Sequence, residues 1–238
     1  MPDNRERVLQ IDGLIFDKDG TLFDFAATWE AWAVAFLTRI TEGDRSRAVA
    51  LGKMVGFNLE DQRFAPDSIV IAGTPGEVAD VLLPALPGLN RAALISVLNA
   101  EAAKAPQAEA VPLVPFLAQL RGAGLRLGVA TNDAEGPALA HLNTAGVAAH
   151  FDFIAGFDSG WGGKPAPGQL NAFLEATGLV PERVAMVGDS THDLEAGRRA
   201  GMHTIGVLTG MAEAAELEAL ADVILPDIGH ITSLLGLD

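Results

Sequence analysis

Apolar residues follow two different rhythms along this chain. The first apolar run, Gly13 to Phe16, is short and ends in an acidic turn, which predicts a buried β-strand. From residue 24 to residue 106 the apolar positions repeat at helical spacing instead, as with Trp29, Trp32 and Phe36. No stretch between these limits has a convincing strand pattern, so we predict an all-helical insert.

After residue 107 the pattern alternates between helix and strand. The predicted strands begin near Leu125, Phe151, Arg183, Thr204 and Asp222. Such alternation predicts a parallel sheet with helices on both faces. The first strand belongs to the same sheet. We therefore predict a Rossmann-like, doubly wound α/β core from residues 1–23 and 107–238, interrupted by a helical cap, residues 24–106.

Composition narrows the class of protein further. The 238 residues are 49% hydrophobic, which is enough for a buried core and excludes a disordered chain. The chain has no cysteine, so disulfide scaffolds, thiolate metal sites and thiol catalysis are excluded. There is no apolar leader or membrane-length apolar run, and we expect a soluble, cytoplasmic monomer or homodimer.

The net charge of −15 bears on the partners of the protein. A duplex nucleic acid or an anionic membrane surface would be repelled, and neither is expected as a partner. An anionic substrate would need positive charge placed locally, for example by a metal ion.

Polar residues follow four of the predicted strands. In chain order these are Asp17, Lys18, Asp19 and Gly20; Thr131 and Asn132; Lys164; and Asp189 and Asp193. Ligands bind at the carboxyl ends of the strands in an open parallel sheet, so we expect these residues to converge. Carboxylates so close together repel one another unless a cation lies between them. Oxygen ligands without His or Cys suit Mg²⁺ better than zinc.

Each of these motifs has an ordinary structural explanation when it is taken alone. Asp-Gly pairs form turns, Thr and Asn begin helices, and loop lysines are usually solvated. The occurrence of all four, in this order and each at a strand end, favours a functional site.

The four motifs resemble those of the haloacid dehalogenase superfamily of phosphohydrolases, closest to its phosphoglycolate phosphatase-like members. The matching segments are Asp17–Leu22, Thr131–Asn132, Lys164–Pro167 and Gly188–Asp193, and the insert matches the helical cap of the family. The resemblance implies a Mg²⁺-dependent phosphatase acting on a small phosphorylated metabolite, phosphoglycolate-like or a sugar phosphate. Dehalogenase and phosphonatase members lack a carboxylate at the position of Asp19, so Asp19 points to phosphate esters.

This resemblance and the requirements of phosphoryl transfer suggest a role for each core residue. Asp17 is the candidate nucleophile, which forms an aspartyl phosphate, and Asp19 is the candidate general acid and base. The metal would be held by the Asp17 carboxylate, the Asp19 carbonyl and Asp189. Asp193 would bind the metal through water or orient Lys164, which neutralises the carboxylates and the developing charge.

Further residues are candidates for holding the substrate: Lys18, Gly20, Thr131, Asn132, Lys53 and Arg63. Thr131 would donate a hydrogen bond to the phosphoryl group, and the N–H groups from Lys18 to Gly20 could form a phosphate cradle. Lys53 and Arg63 are the best cap candidates for the rest of the substrate. The alternative for both is an ordinary solvated surface charge.

Other functions remain open at this stage. A response-regulator receiver also combines a phospho-accepting Asp with Thr and Lys, but it needs neither Asp19 nor a cap and is about half as long. A phosphomutase of the same superfamily would pass the phosphoryl group to a second sugar hydroxyl. An inactive binding module is the third alternative, against which the intact set of residues argues.

Overall fold

The chain forms one strand, then a mostly helical insert, and then returns to complete an α/β core. The computed structural model describes residues 10–237; residues 1–9 of the predicted core segment, and residue 238, lie outside it. The elements through the insert are β1 (Gly13–Phe16), α1 (Phe25–Ile40), α2 (Arg45–Met54), β2 (Phe57–Asn58), β3 (Arg63–Phe64), α3 (Ile69–Ala72), α4 (Pro75–Leu82) and α5 (Arg91–Ala102). The core continues with α6 (Leu113–Gly122), β4 (Arg126–Ala130), α7 (Glu135–Thr144), β5 (Phe153–Ala155), α8 (Gly168–Thr177), β6 (Val184–Gly188), α9 (Thr191–Arg199), β7 (His203–Val207), α10 (Ala214–Leu217), β8 (Val223–Leu225) and α11 (Ile231–Leu234).

The core sheet has six strands in the order β5-β4-β1-β6-β7-β8, and all of its neighbouring pairs are parallel. Strand β1 lies in the middle of the sheet, and its apolar residues are therefore buried on both faces. Leu14 and Phe16 pack into one hydrophobic cluster and Ile15 into another, as the alternation of side chains along a strand requires. The predicted doubly wound α/β fold is confirmed.

The insert has a hydrophobic cluster of its own, which includes Trp32, Phe36 and Leu94. The segments that enter and leave the insert are hydrogen-bonded to each other, since Asp24 N–H donates to Ala108 O. The Asp24 side chain also caps α1 by accepting from Ala27 N–H at 2.7 Å. The insert lies over the carboxyl ends of the sheet, where residues of the insert and of the core line one cavity.

The prediction of an all-helical insert was wrong in one part. Strands β2 and β3 form an antiparallel hairpin in which Phe57 lies opposite Phe64. Their rings are 4.8 Å apart between centroids, and this packing stabilises the hairpin. Two-residue strands are too short to produce an alternating sequence pattern, which is why the hairpin was not predicted.

Helix α1 has 16 residues, which is short for a helix that crosses a membrane. Within residues 10–237, no helix has both the length and the apolar character needed to cross a membrane.

Candidate active site

One cavity lies between the carboxyl ends of the core strands and the insert. The core side is formed by the loops that follow β1, β4 and β6 and by the segment after β5. The insert side is formed by residues of α1, α3, α4 and α5. The structure brings these predicted site residues to the cavity: Asp17, Asp19, Thr131, Asn132, Lys164, Asp189 and Asp193.

Lys164 connects two of the carboxylates. Its Nζ lies 2.5 Å from Asp17 Oδ1 and 2.6 Å from Asp193 Oδ1, and all three residues are buried. Burial alone would lower the pKa of Lys164, but Asp17 and Asp193 raise that pKa above its usual value. A fixed positive charge therefore faces the predicted nucleophile.

The start of α9 holds Asp193 in position. Ser190 Oγ accepts from the Asp193 N–H, and the Ser190 N–H and Oγ donate to Asp193 Oδ2 at 3.1 and 2.7 Å. This capping box uses Oδ2, so that Oδ1 points to Lys164. A common helix-start motif thus orients a residue of the site.

Three buried carboxylates form a group that could hold a cation. One oxygen each of Asp17, Asp189 and Asp193 lies within 4.8 Å of the others. Burial raises the pKa of Asp17 to about 7, although Lys164 opposes this shift, and burial together with Asp17 raises the pKa of Asp189. A cation among these hard oxygens would offset the cost of ionising them, and the donor set fits a divalent ion.

Asp19 has different surroundings, although it is only two residues from Asp17. Lys18 Nζ contacts the two oxygens of Asp19 at 2.8 and 2.7 Å and lies 3.3 Å from Asp133 Oδ2. Burial opposes the charge of Lys18, but Asp19 and Asp133 raise its pKa above the usual value. The Lys18 side chain is fully buried in this group and does not line the cavity.

His141 completes the group around Lys18, and sequence reasoning missed it. Its Nδ1 lies 3.0 Å from Lys18 Nζ and its Nε2 lies 2.7 Å from the carbonyl of Ala102 in the insert. Burial, with a contribution from Lys18, lowers the pKa of His141 to about 4. The neutral ring therefore accepts from Lys18 at Nδ1 and donates to Ala102 at Nε2, which links core and insert.

Gly20 has a structural role that differs from the predicted one. Its N–H donates to Phe23 O at 2.7 Å and is not available to a phosphate. Its φ is +84°, and a Cβ at this position would lie 2.5 Å from Asp189 Oδ2. Glycine at this position thus lets the turn pack against Asp189.

The side chains of Thr131 and Asn132 form different kinds of hydrogen bond. Thr131 Oγ1 accepts from the Asp133 N–H at 3.0 Å, which leaves its own hydrogen free to donate. Asn132 Oδ1 accepts from the Lys164 N–H, and its Nδ2 donates to Lys164 O and to Ala72 O of the insert. Both amide hydrogens of Asn132 are used in this way, so its side chain fixes the lysine loop and does not donate to a substrate.

Two further residues support the site without any sequence signal that could have revealed them. Gln169 is buried, and its Nε2 donates to Thr131 O and Gly162 O at 3.0 Å each. Thr209, in the loop after β7, donates to Gly20 O at 2.6 Å. Both hold the backbone of site loops, a task that many residue types can perform.

Lys53 and Arg63 do not line the cavity. Both line a separate groove beside the β2-β3 hairpin, and Arg63 lies 3.4 Å from Glu30 with its side chain largely exposed. The prediction that they contact the rest of the substrate is not supported by this placement. Residue spacing along the insert did not show which face of each helix is turned to the core.

A comparison with known sequences identifies the family of this chain. A sequence model described as haloacid dehalogenase-like hydrolase matches residues 11–201, which include all four motifs. The chain belongs to the haloacid dehalogenase-like hydrolase family. The resemblance noted from the motifs is therefore confirmed.

Several relatives of this hydrolase are named as phosphatases. The chain is 31% identical over 236 residues to the probable phosphatase IndB of Dickeya dadantii, covering 94% of this chain and 95% of the relative. It is 29% identical over 200 residues to a phosphoglycolate phosphatase of Aquifex aeolicus, covering 83% and 84%. The solved structure of CbbY from Rhodobacter sphaeroides, in complex with phosphate, shares the fold with a TM-score of 0.72 at 22% identity, covering 95% and 99%.

These findings make the protein a phosphatase of the haloacid dehalogenase-like hydrolase family. They do not favour a receiver-type switch or a mutase.

Proposed function

We propose that this phosphatase hydrolyses a small phosphomonoester, phosphoglycolate-like or a sugar phosphate, through an aspartyl phosphate on Asp17 and with Mg²⁺ as cofactor. The observation that carries this proposal is the contrast between Asp17 and Asp19. The Asp17 carboxylate lies among the acidic group and Lys164, whereas the Asp19 carboxylate is held by Lys18. Both residues line the same cavity.

The residues of the chain would act in two steps. In the first, an Asp17 oxygen attacks phosphorus, the bond to the ester oxygen breaks, and Asp19, which enters this step protonated, gives its proton to that oxygen, which leaves as the alcohol. In the second, Asp19 takes a proton from water, whose oxygen attacks phosphorus and breaks the bond to Asp17. Lys164 neutralises charge near Asp17 throughout, and Thr131 donates its hydroxyl hydrogen to a phosphoryl oxygen.

The metal ligands would be the carboxylates of Asp17 and Asp189, the carbonyl of Asp19 and, through water, Asp193. Mg²⁺ bound there supplies the positive charge that a dianionic phosphate needs beside three carboxylates. The hard oxygen donors and the raised pKa values of Asp17 and Asp189 support this assignment.

The partner is then a small phosphorylated metabolite rather than a nucleic acid or a membrane surface. The net charge of −15 supports this, because it repels polyanions. A small phosphate can instead be bound by the positive charges within the site. We propose a cytoplasmic protein that acts as a monomer or homodimer.

Repeated phosphate release is the test of the proposal. Inorganic phosphate is measured with p-nitrophenyl phosphate and a panel of alkyl and sugar phosphates in the presence of Mg²⁺, for the wild type and Asp17→Asn. We expect many turnovers for the wild type and none for Asp17→Asn. A single stoichiometric phosphorylation without release would favour a receiver-type switch, and an isomerised sugar phosphate product would favour a mutase.

A further inference from the structure

His141 is a buried side chain that the proposed two-step reaction does not use. It lies on α7 and contacts both parts of the molecule. Its Nδ1 lies 3.0 Å from Lys18 Nζ in the core, and its Nε2 lies 2.7 Å from the Ala102 carbonyl of the insert. Burying a polar ring costs its hydration, and here both ring nitrogens have a partner in return.

The two partners determine which ring nitrogen of His141 carries hydrogen. The Lys18 ammonium can only donate, so Nδ1 must accept. The Ala102 carbonyl can only accept, so Nε2 must donate. Ala102 is the last residue of α5, and carbonyls at the end of a helix carry the negative end of its dipole, which favours a donor. The contact with the insert thus selects the tautomer that can accept from Lys18.

Three acceptor side chains face the ammonium of Lys18, which has three hydrogens. They are Asp19 at 2.8 and 2.7 Å, Asp133 at 3.3 Å and Nδ1 of His141 at 3.0 Å. Two of the three are carboxylates that compete for the same cation. Without His141, the flexible side chain of Lys18 would be free to turn its ammonium from Asp19 towards Asp133. His141 therefore fixes the position from which Lys18 holds Asp19.

A second core residue contacts the insert in a similar way but supports another part of the site. Asn132 Nδ2 donates to Ala72 O of the insert at 2.8 Å, and its amide also holds the backbone of Lys164. Lys164 neutralises charge whatever the leaving group is, whereas Asp19 matters most where the leaving group needs a proton. The effects of these two contacts on the reaction can therefore be told apart by the choice of ester.

We propose that His141 is a positioning residue for proton transfer: it holds Lys18, and through Lys18 the Asp19 carboxylate, in an arrangement that its contact with the insert completes. His141 does not line the cavity, so it acts only through Lys18. The inference rests on the proposed phosphatase mechanism and adds a residue to it. It also gives the insert a task besides covering the cavity, because the proton donor is then held in part from the insert side.

Esters with different leaving groups test the proposal. kcat/KM is measured for p-nitrophenyl phosphate and for the alkyl or sugar phosphate that the wild type hydrolyses best, because this quantity reports the first step and not the hydrolysis of the aspartyl phosphate. In His141→Leu we expect kcat/KM for the alkyl ester to fall about 10–100-fold more than for the aryl ester, since only the alkoxide needs the proton of Asp19. Asp19→Asn should give the largest difference and calibrates the scale.

Conservative replacement should restore the function. The amide of His141→Gln offers an acceptor and a donor on one planar group, so this variant should recover most of the loss on the alkyl ester. NMR of the histidine ring nitrogens gives a second readout, with the His141 signals assigned by their absence in His141→Gln. The wild type at pH 7 should carry hydrogen on Nε2 alone, and hydrogen on Nδ1 would contradict the proposed contacts.

Asn132→Leu is the matched control, since it removes a hydrogen bond between core and insert without touching Lys18. It should lower kcat/KM for both esters by similar factors. Equal losses on both esters in His141→Leu overturn the proposal, and so does an Asn132→Leu variant with the same selective loss. If His141→Leu does not fold, His141→Asn repeats the measurement, because its side chain is too short to span both partners.

Failure of the phosphatase mechanism would give a different result. Asp19→Asn would then lose both esters alike, or the wild type with Mg²⁺ would release phosphate from none of the esters. Either outcome refutes the proposed function, and this inference with it.

Discussion

The ammonium of Lys18 lies 2.8 and 2.7 Å from the two oxygens of Asp19, its neighbour in the chain. Asp17 and Asp19 line the cavity, while Lys18 between them is buried behind it. The lysine reaches back to hold the carboxylate and also lies 3.3 Å from Asp133. The residue between the two site carboxylates thus positions one of them.

Removing this buried cation should destabilise the protein. Lys18→Met leaves Asp133 buried without its counter-charge, and we expect the free energy of unfolding to fall by about 3–5 kcal/mol in urea denaturation. Lys18→Met combined with Asp133→Leu should recover most of that stability, because an apolar pair can replace a buried ion pair. The kcat of the double variant should stay low, since Asp19 still lacks its partner. Recovery of both stability and kcat would show that Lys18 does not position Asp19.

Metal removal should affect both activity and stability. Chelation should abolish phosphate release and lower the Tm at pH 7, because ion binding offsets the repulsion among Asp17, Asp189 and Asp193. Added Mg²⁺ should restore both quantities. Ca²⁺ should restore the Tm more than the activity, since its looser coordination positions the nucleophile poorly. Full activity in excess chelator would rule out the metal assignment.

Lys164→Ala removes the cation that contacts Asp17 and Asp193. We expect kcat to fall by about 10²–10³, the usual effect of losing one electrostatic stabiliser of a transition state. Lys104→Ala is the control, because Lys104 is an exposed lysine paired with Glu101 on the insert. Activity of Lys164→Ala within about threefold of the wild type would mean that Lys164 does not contribute to phosphoryl transfer.

The sequence predicted best those features of the fold and the site that depend on the type and the position of individual residues. The apolar run before Asp17 and the alternation after residue 107 were enough to predict the parallel sheet, because a strand buried on both faces is apolar throughout. The convergence of Asp17, Thr131, Lys164 and Asp189 followed from their positions at strand ends.

The rest depended on contacts between distant segments. His141 lies on an ordinary helix and becomes notable only because α5 of the insert brings the Ala102 carbonyl to its Nε2. Asn132 was expected at the phosphate, but its amide is used by Lys164 and Ala72. Neither arrangement leaves a periodic or compositional trace in the sequence.

The buried His141 should make stability depend on pH. Its pKa is about 4 in the folded protein against an ordinary 6.5, so the unfolded chain binds more protons between these values. Its contribution is complete above pH 6.5 and is lost as the pH falls towards 4. Relative to His141→Asn, the wild type should lose about 1–2 kcal/mol of additional unfolding free energy between pH 7 and pH 5. Equal losses in the two proteins, measured by urea denaturation, would show that His141 titrates normally.

The two proposed tasks of Asp19 can be separated by the choice of leaving group. Asp19→Asn keeps the shape of the side chain but cannot transfer a proton. An alkyl phosphate should then hardly phosphorylate Asp17, because an alkoxide is a poor leaving group. p-Nitrophenyl phosphate departs as a stabilised phenolate and should still phosphorylate Asp17 in a burst. Hydrolysis of the aspartyl phosphate would lack its base and should slow by about 10²–10⁴, so that the intermediate accumulates.

Intact mass after acid quenching measures that intermediate directly. Asp19→Asn mixed with p-nitrophenyl phosphate should gain the mass of one phosphoryl group, and Asp17→Asn/Asp19→Asn should gain none. The double variant is the matched control, because it retains every other residue of the cavity. If Asp19→Asn turns over alkyl and aryl phosphates as fast as the wild type, Asp19 is not the acid and base. In that case the contact with Lys18 would hold a carboxylate that takes no part in the reaction.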